Sequence, residues 1–233
     1  MTARVSLAMD HTDIAAKRFA ALLFDMDGTI LSSIASAERV WADWARNHGL
    51  DVESFLPTIH GIQAVETIRR LDLPGVDPVV EAERILRAEI DDVQDVEAIA
   101  GVAAFLERLP AERWAIVTSA PRALAERRIA AASLPIPPVL IAAEDVERSK
   151  PAPDGYLLAA ARLQVEAGDC LVFEDAAAGI ESGAAAGASV VVVTATHRHT
   201  VEWPHPAIVH YEGLHATREE DGVTVHGLMF PRA

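Results

Sequence analysis

The feature that most constrains this chain is a series of short apolar runs, each ending abruptly in polar residues. Ala21–Phe24 (ALLF) stops at Asp-Met-Asp-Gly-Thr. Trp114–Thr118, Val139–Ala143, Leu171–Phe173 (followed by Glu-Asp) and Ser189–Thr194 repeat the pattern. Continuous runs of this length fit strands buried on both faces. Helix-patterned stretches separate them: Ala123–Ala132 after Pro121, Asp154–Leu163 after KPAP, and Ala176–Ala186 closing at Gly187. Strands alternating with helices predict an α/β chain with a three-layer α/β/α arrangement around a parallel sheet.

The stretch 34–99 breaks the alternation. It lacks strand-like runs and carries amphipathic helical patterns at Ala37–His48 and Val79–Asp91, with 14 acidic and 6 basic side chains and no lysine. It reads as a helical insertion packed over one end of the sheet, or as a long crossover of the main domain. Residues 1–18 read as a loosely docked extension, leaving 19–33 and 100–233 as the α/β core. Near the end, Ala207–Tyr211 is a further candidate strand, and Asp221-Gly222 between two alternating segments predicts a C-terminal β-hairpin.

A net charge of -15 argues against nucleic acid, which needs a basic footprint. No apolar run approaches the ~20 residues of a membrane-spanning helix, and the first residues have no continuous apolar core of a signal peptide. The single cysteine, Cys170, excludes an internal disulfide and fits a reducing, cytoplasmic setting. The only lysines are Lys17 and Lys150, so each invites a specific explanation.

Ligands of open α/β sheets bind beyond the carboxyl ends of the strands. Four polar clusters fall there: Asp25-Met26-Asp27-Gly28-Thr29, Thr118-Ser119, Lys150-Pro151 and Glu174-Asp175. Asp25 and Asp27, two apart, would raise each other's pKa unless a positive charge neutralises them. A hard divalent cation is the natural partner, with Asp175 as a further oxygen ligand. Gly28 permits a tight turn after the pair. Thr118-Ser119 precedes a helix start and reads both as a helix cap and as an anion site. Lys150, fixed by Pro151 and Pro153, offers a compact ammonium to a phosphate and a nucleophilic carboxylate.

These motifs resemble the haloacid dehalogenase superfamily of phosphatases. The resemblance lies in FDMDGT (24–29), Thr118 within IVTSAP, Lys150 within SKPAP, and Glu174-Asp175 within VFEDAAAGI (172–180), and it covers almost the whole chain after residue 18. It implies a Rossmann-like core with the insertion at 34–99 as a small α-helical cap. The segments WARNHGL, IHGIQA, RWAIVTSAP and GAAAG look more narrowly like bacterial sugar-phosphate phosphatases, relatives of the glycerol-phosphate and deoxyglucose-phosphate enzymes. The resemblance makes Asp25 the nucleophile forming an aspartyl-phosphate and Asp27 the acid/base. It gives Mg2+ to Asp25, the Asp27 carbonyl and Asp175, with Glu174 supporting. Lys150, Thr118 and Ser119, with Gly28 and Thr29 in the first loop, would bind the phosphoryl group. Ser32 stands where relatives often carry an acidic residue, a change placed at the cap hinge.

In the cap, His60, Gly61 and Gln63 are candidates to read a sugar or polyol phosphate, His60 being equally readable as a capping or core histidine. Trp41 and Trp44 read as packing, with sugar stacking the lesser alternative. His197 and His199 read as a solvated loop. The expected substrate is a small phosphate ester, and a self-closing cap predicts a monomer. Asp27 argues against dehalogenation, which has no need of it, and the lysine-free cap argues against Schiff-base phosphonate hydrolysis. A phosphomutase, or an idle binding protein on this fold, stays open.

Overall fold

The computed structural model describes residue 14 and residues 17–59, 63–199, 201 and 203–228. Its centre is a six-stranded parallel sheet. In spatial order the strands are β6 (Val139–Ile141), β5 (Trp114–Val117), β2 (Ala21–Phe24), β7 (Cys170–Glu174), β8 (Ser189–Val193) and β9 (Ala207–Ile208). The four residues of β2 are all buried, as a central strand covered on both faces requires. Their side chains alternate. Leu22 and Phe24 join one core cluster, into which α5 (Val102–Leu106) and α6 (Arg122–Ala131) pack. Ala21 and Leu23 join the other, with α7 (Asp154–Arg162) and α8 (Ala177–Ala185).

The chain leaves β2, builds β5 and β6 on one side, then crosses back to build β7, β8 and β9 on the other. That reversal opens a crevice beyond the carboxyl end of β2, between its two neighbours. Phe24 and Phe173 are partners across β2 and β7, their rings stacked at 4.9 Å. This register brings the next residues, Asp25 and Glu174, side by side, with the Asp25 N–H donating to the Phe173 carbonyl at 3.0 Å.

Between 34 and 91 the described residues include four α-helices: α1 (Ile34–Asn47), α2 (Val52–Phe55), α3 (Ala64–Leu71) and α4 (Pro78–Asp91). The starts of α2 and α4 are fixed by Asp51 and Asp77, whose carboxylates accept N–H groups of the first turn, and Pro78 opens α4 where its missing N–H costs nothing. These helices enclose their own apolar cluster of Val40, Trp41, Trp44, Phe55, Ile59, Ile68 and Ile85. The chain leaves the core through β3 (Leu31–Ser32) and returns through β4 (Glu97–Ala98), which pair antiparallel. Two residues per strand are too few for a periodic signal, so this ribbon is invisible in the sequence.

Two details differ from expectation. Arg18, assigned to the extension, already belongs to β1 (Arg18–Phe19), which pairs with the C-terminal hairpin, and Ile14 is buried in the core. The hairpin itself, β10 (His215–Glu219) and β11 (Gly222–His226), turns at Glu220-Asp221 rather than Asp221-Gly222. Gly222 is a strand residue. An added Cβ there would lie 2.2 Å from the Phe19 carbonyl oxygen, so glycine serves the approach of β1 and not the turn. Among the described residues no helix is long and apolar enough to cross a membrane.

Candidate active site

Lys150 organises the crevice. Its ammonium donates to Asp25 Oδ1 at 2.5 Å, Glu174 Oε1 at 2.7 Å and the Val117 carbonyl at 3.0 Å, which engages all three protons. Burial alone would lower the Lys150 pKa, but Asp25 and Glu174 outweigh it and hold the group charged, well above its ordinary range. Glu174 is equally occupied. Its Oε1 also accepts from Tyr156 OH at 2.9 Å, and its Oε2 accepts the N–H groups of Asp175 at 3.0 Å and Ala176 at 3.3 Å. The first turn of α8 lies against this carboxylate: an added Cβ at Gly179 would stand 1.7 Å from Glu174 Oε1.

Asp175 approaches from the other side, where an added Cβ at Gly28 would stand 2.0 Å from its Oδ2. Gly28 has φ +87°, the left-handed region where glycine has no steric penalty. Thr29, expected at a phosphate, is fully buried, and its hydroxyl donates to Asp175 Oδ1 at 3.3 Å. The Gly28 N–H is taken by the Leu31 carbonyl at 2.7 Å. Gly28 thus leaves room for Asp175, and Thr29 satisfies its buried hydroxyl on that carboxylate.

Oxygens of Asp25, Glu174 and Asp175 all lie within 4.8 Å of one another. Burial, the largest cause, pushes Asp25 up to about 7, with Glu174 and Asp27 adding and Lys150 opposing. Burial likewise raises Asp175, reinforced by Asp25 and Glu174. Ionised together, the three carboxylates would exceed the one ammonium of Lys150 by two negative charges, a balance that suits a divalent cation with oxygen ligands. With Glu174 saturated by four donors, Asp25 and Asp175 are the carboxylates free to face it.

The Asp27 carboxylate turns elsewhere. Its Oδ1 accepts from Ser33 Oγ at 2.5 Å and its Oδ2 from Arg128 Nη1 at 3.1 Å. Thr118 and Ser119 line a small crevice with Ser149 and Lys150. The helix-cap reading of Thr118 fails: α6 starts three residues beyond Ser119, its Arg122 N–H is held by the Glu144 carboxylate, and Thr118 Oγ1 accepts the Ala120 N–H at 3.0 Å.

The sequence profile of the haloacid dehalogenase-like hydrolases matches residues 19–187, which contain every group named above. The chain belongs to that family. It is 42% identical over 177 residues to hexitol phosphatase A of Escherichia coli, covering 74% of this chain and 82% of the relative. Fructose-1-phosphate phosphatase YqaB of the same organism is 33% identical over 186 residues, covering 76% and 97%. The fold matches the crystal structure of a HAD hydrolase, family IA, variant 3, from Entamoeba histolytica. The TM-score is 0.70 at 23% identity, over 82% of this chain and 93% of that one. The chain is a phosphoric monoester hydrolase, and the idle-binder reading falls.

Within this haloacid dehalogenase-like hydrolase, the cap candidates fare unevenly. His60 and Gly61 lie outside the described residues. Gln63 donates from Nε2 to Ser149 Oγ at 3.4 Å, reaching from the cap to the residue before Lys150. Trp41 and Trp44 are buried edge to face at 5.7 Å, so they pack. His197 is not a bystander in a solvated loop: its Nε2 donates to the Asp175 carbonyl at 2.9 Å, while its ring leans on Trp203. His199 is exposed.

Sequence reasoning missed Tyr156 and Arg128. Tyr156 bonds Glu174 and lies under the Lys150 ammonium, 5.3 Å from the ring centre. Its signal was its place in the first turn of the helix that follows Lys150. Arg128 gave none: a charged residue in the pattern AERRIAA reads as solvent-facing, yet it is buried.

Proposed function

We propose that this hydrolase cleaves phosphate monoesters of small sugars or polyols through a phosphorylated Asp25, with Mg2+ held by Asp25, Asp175 and the Asp27 carbonyl. The observation that carries the reading is the Asp25 carboxylate at the end of the central strand, gripped through Oδ1 by the Lys150 ammonium. That contact leaves Oδ2 to attack phosphorus in line as the bond to the leaving oxygen breaks. Asp27 gives its proton to the departing alkoxide. It then takes one from the water that attacks the phosphoenzyme, so Asp25 is regenerated and phosphate leaves. Lys150, Thr118 and Ser119 stabilise the charge of the transferring group. When bound, Mg2+ supplies charge neutralisation at the phosphoryl oxygens. Glu174 keeps Lys150 and the Asp175 backbone in place.

The sugar or polyol class rests on the names of the relatives, one acting on a hexitol phosphate and one on fructose 1-phosphate. Gln63, and His60 and Gly61 beside it, are the residues we assign to reading the alcohol. The test is inorganic phosphate release from a panel of hexitol, hexose and triose phosphates, with Mg2+ and after exhaustive chelation. The expected result is a preference for a polyhydroxylated ester and loss of turnover on chelation, restored by Mg2+. Turnover that survives chelation would refute the cation, and a flat response across the panel would refute the substrate class.

A further inference from the structure

The roles above leave one buried charge without a task. Arg128 lies on α6 with a side chain 7% exposed. Its Nη1 donates to Asp27 Oδ2 at 3.1 Å, and its Nη2 pairs with Glu89 Oε1 at 3.5 Å. Its Nε is buried without a partner among the described residues. Glu89 is a residue of the cap helix α4, with a side chain 13% exposed, and it also hydrogen-bonds Trp41. One core guanidinium thus grips the acid/base and the cap together.

The opposite oxygen of Asp27 is held from the cap side too. Ser33 precedes α1, and its hydroxyl makes no cap bond to that helix; it donates to Asp27 Oδ1 instead. Both ends of the inserted segment therefore bear on Asp27: its entry through Ser33, and α4 near its exit through Glu89 and Arg128. A buried guanidinium left with one carboxylate too few is strongly disfavoured, so a shift of Glu89 must change how Arg128 holds Asp27. A plain structural ion pair would explain the burial. It would not explain why the core partner is the reacting loop's aspartate, whose two oxygens are both taken.

We propose that Arg128 is a positioning residue that lets the seating of the cap, sensed through Glu89, set the orientation of Asp27. This rests on the reading of Asp27 as the acid/base. A polyol is a poor leaving group and needs a well-aimed proton, whereas 4-nitrophenolate needs little help. The measurement is leaving-group release in a single turnover, which isolates the first step. The probes are the best sugar phosphate of the panel and 4-nitrophenyl phosphate.

Arg128→Gln should slow the sugar phosphate by ~10²-fold and the aryl ester by less than ~5-fold, since a positioned acid contributes about 10²–10⁴. Arg128→Lys should restore part of the loss. Glu89→Gln, which keeps an amide in place, should give the same selectivity at about 3–10-fold. The double variant Arg128→Gln/Asp27→Asn should be no slower than Asp27→Asn alone. Equal losses on both esters, or an Arg128 effect that adds in full to that of Asp27→Asn, would overturn the proposal. If Arg128→Gln does not fold, Glu89→Gln decides alone, and an unselective or absent effect overturns it. Should Asp27→Asn itself be unselective, the acid/base reading falls and this inference with it. Should Asp27→Asn be selective and Arg128→Gln not, the inference alone falls.

Discussion

Lys150 and Gln63 both border the space above the sheet, and they are held in opposite ways. Lys150 keeps 12% of its side chain exposed and engages three acceptors within 3.0 Å, two of them carboxylates. Gln63 is exposed and makes one 3.4 Å contact to Ser149. The contrast extends to their surroundings. The floor is a closed network of Asp25, Lys150, Glu174 and Tyr156. Besides Gln63, polar contacts of the roof with the core include an Arg198–Glu38 pair with a 65% exposed arginine, an exposed Arg127 to Ile90 carbonyl contact, and the buried Arg128. Exposed pairs contribute ~0–1 kcal/mol each, so the exposed polar contacts between roof and core can be released at little cost. On the proposed function, the floor needs fixed geometry for phosphoryl transfer, while the roof opens to admit an ester and can vary with its alcohol.

The sharpest way to break this comparison is at the nucleophile. Asp25→Asn keeps the shape of the floor and removes the only group that can form the acyl phosphate, so turnover should fall by roughly 10⁴-fold or more. Circular dichroism should show the fold retained. Substantial phosphate release by the folded variant would mean that the floor does not do the chemistry.

A smaller effect is expected one shell out. Tyr156→Phe removes a hydrogen bond to a buried, charged Glu174 and leaves the ring under Lys150. The loss should be about 1.5–3 kcal/mol, shared between thermal stability and kcat, and the same for every ester in a panel. A loss that depends on the alcohol would show that floor and roof are not separable in this way.

The smallest effect belongs to the roof. Gln63→Ala should leave an aryl phosphate nearly unchanged and lower kcat/KM for the preferred sugar phosphate by about 0.5–1.5 kcal/mol, the scale of one exposed hydrogen bond. An equal loss on both would assign Gln63 to cap closure through Ser149 instead of selection. No loss on either would remove it from the site.

Much of the floor was legible in the sequence. The sheet was, because strands buried on both faces must be unbroken apolar runs and must stop where polar chemistry begins. Four of those stops supplied Asp25, Asp27, Thr118, Lys150, Glu174 and Asp175. The roof was legible only as helices. Its ribbon of β3 and β4 is two residues per strand, and its role at the site depends on contacts that no local pattern records.

The sequence by itself determined the class of fold, the edge of the sheet where ligands bind, and which residue types gather there, since period and punctuation are properties of neighbours in the chain. Tertiary structure decided who meets whom. It set the Thr29 hydroxyl on Asp175 and gave Gly222 to the approach of β1 instead of a turn. It occupied both oxygens of Glu174 with four donors and gathered Asp25 and Asp175 beside it. It also buried Arg128 between an aspartate 101 residues away and a glutamate of the cap. Such pairings depend on how helices and strands pack and on which buried polar atoms then need partners, and neither is written in the spacing of residues along the chain.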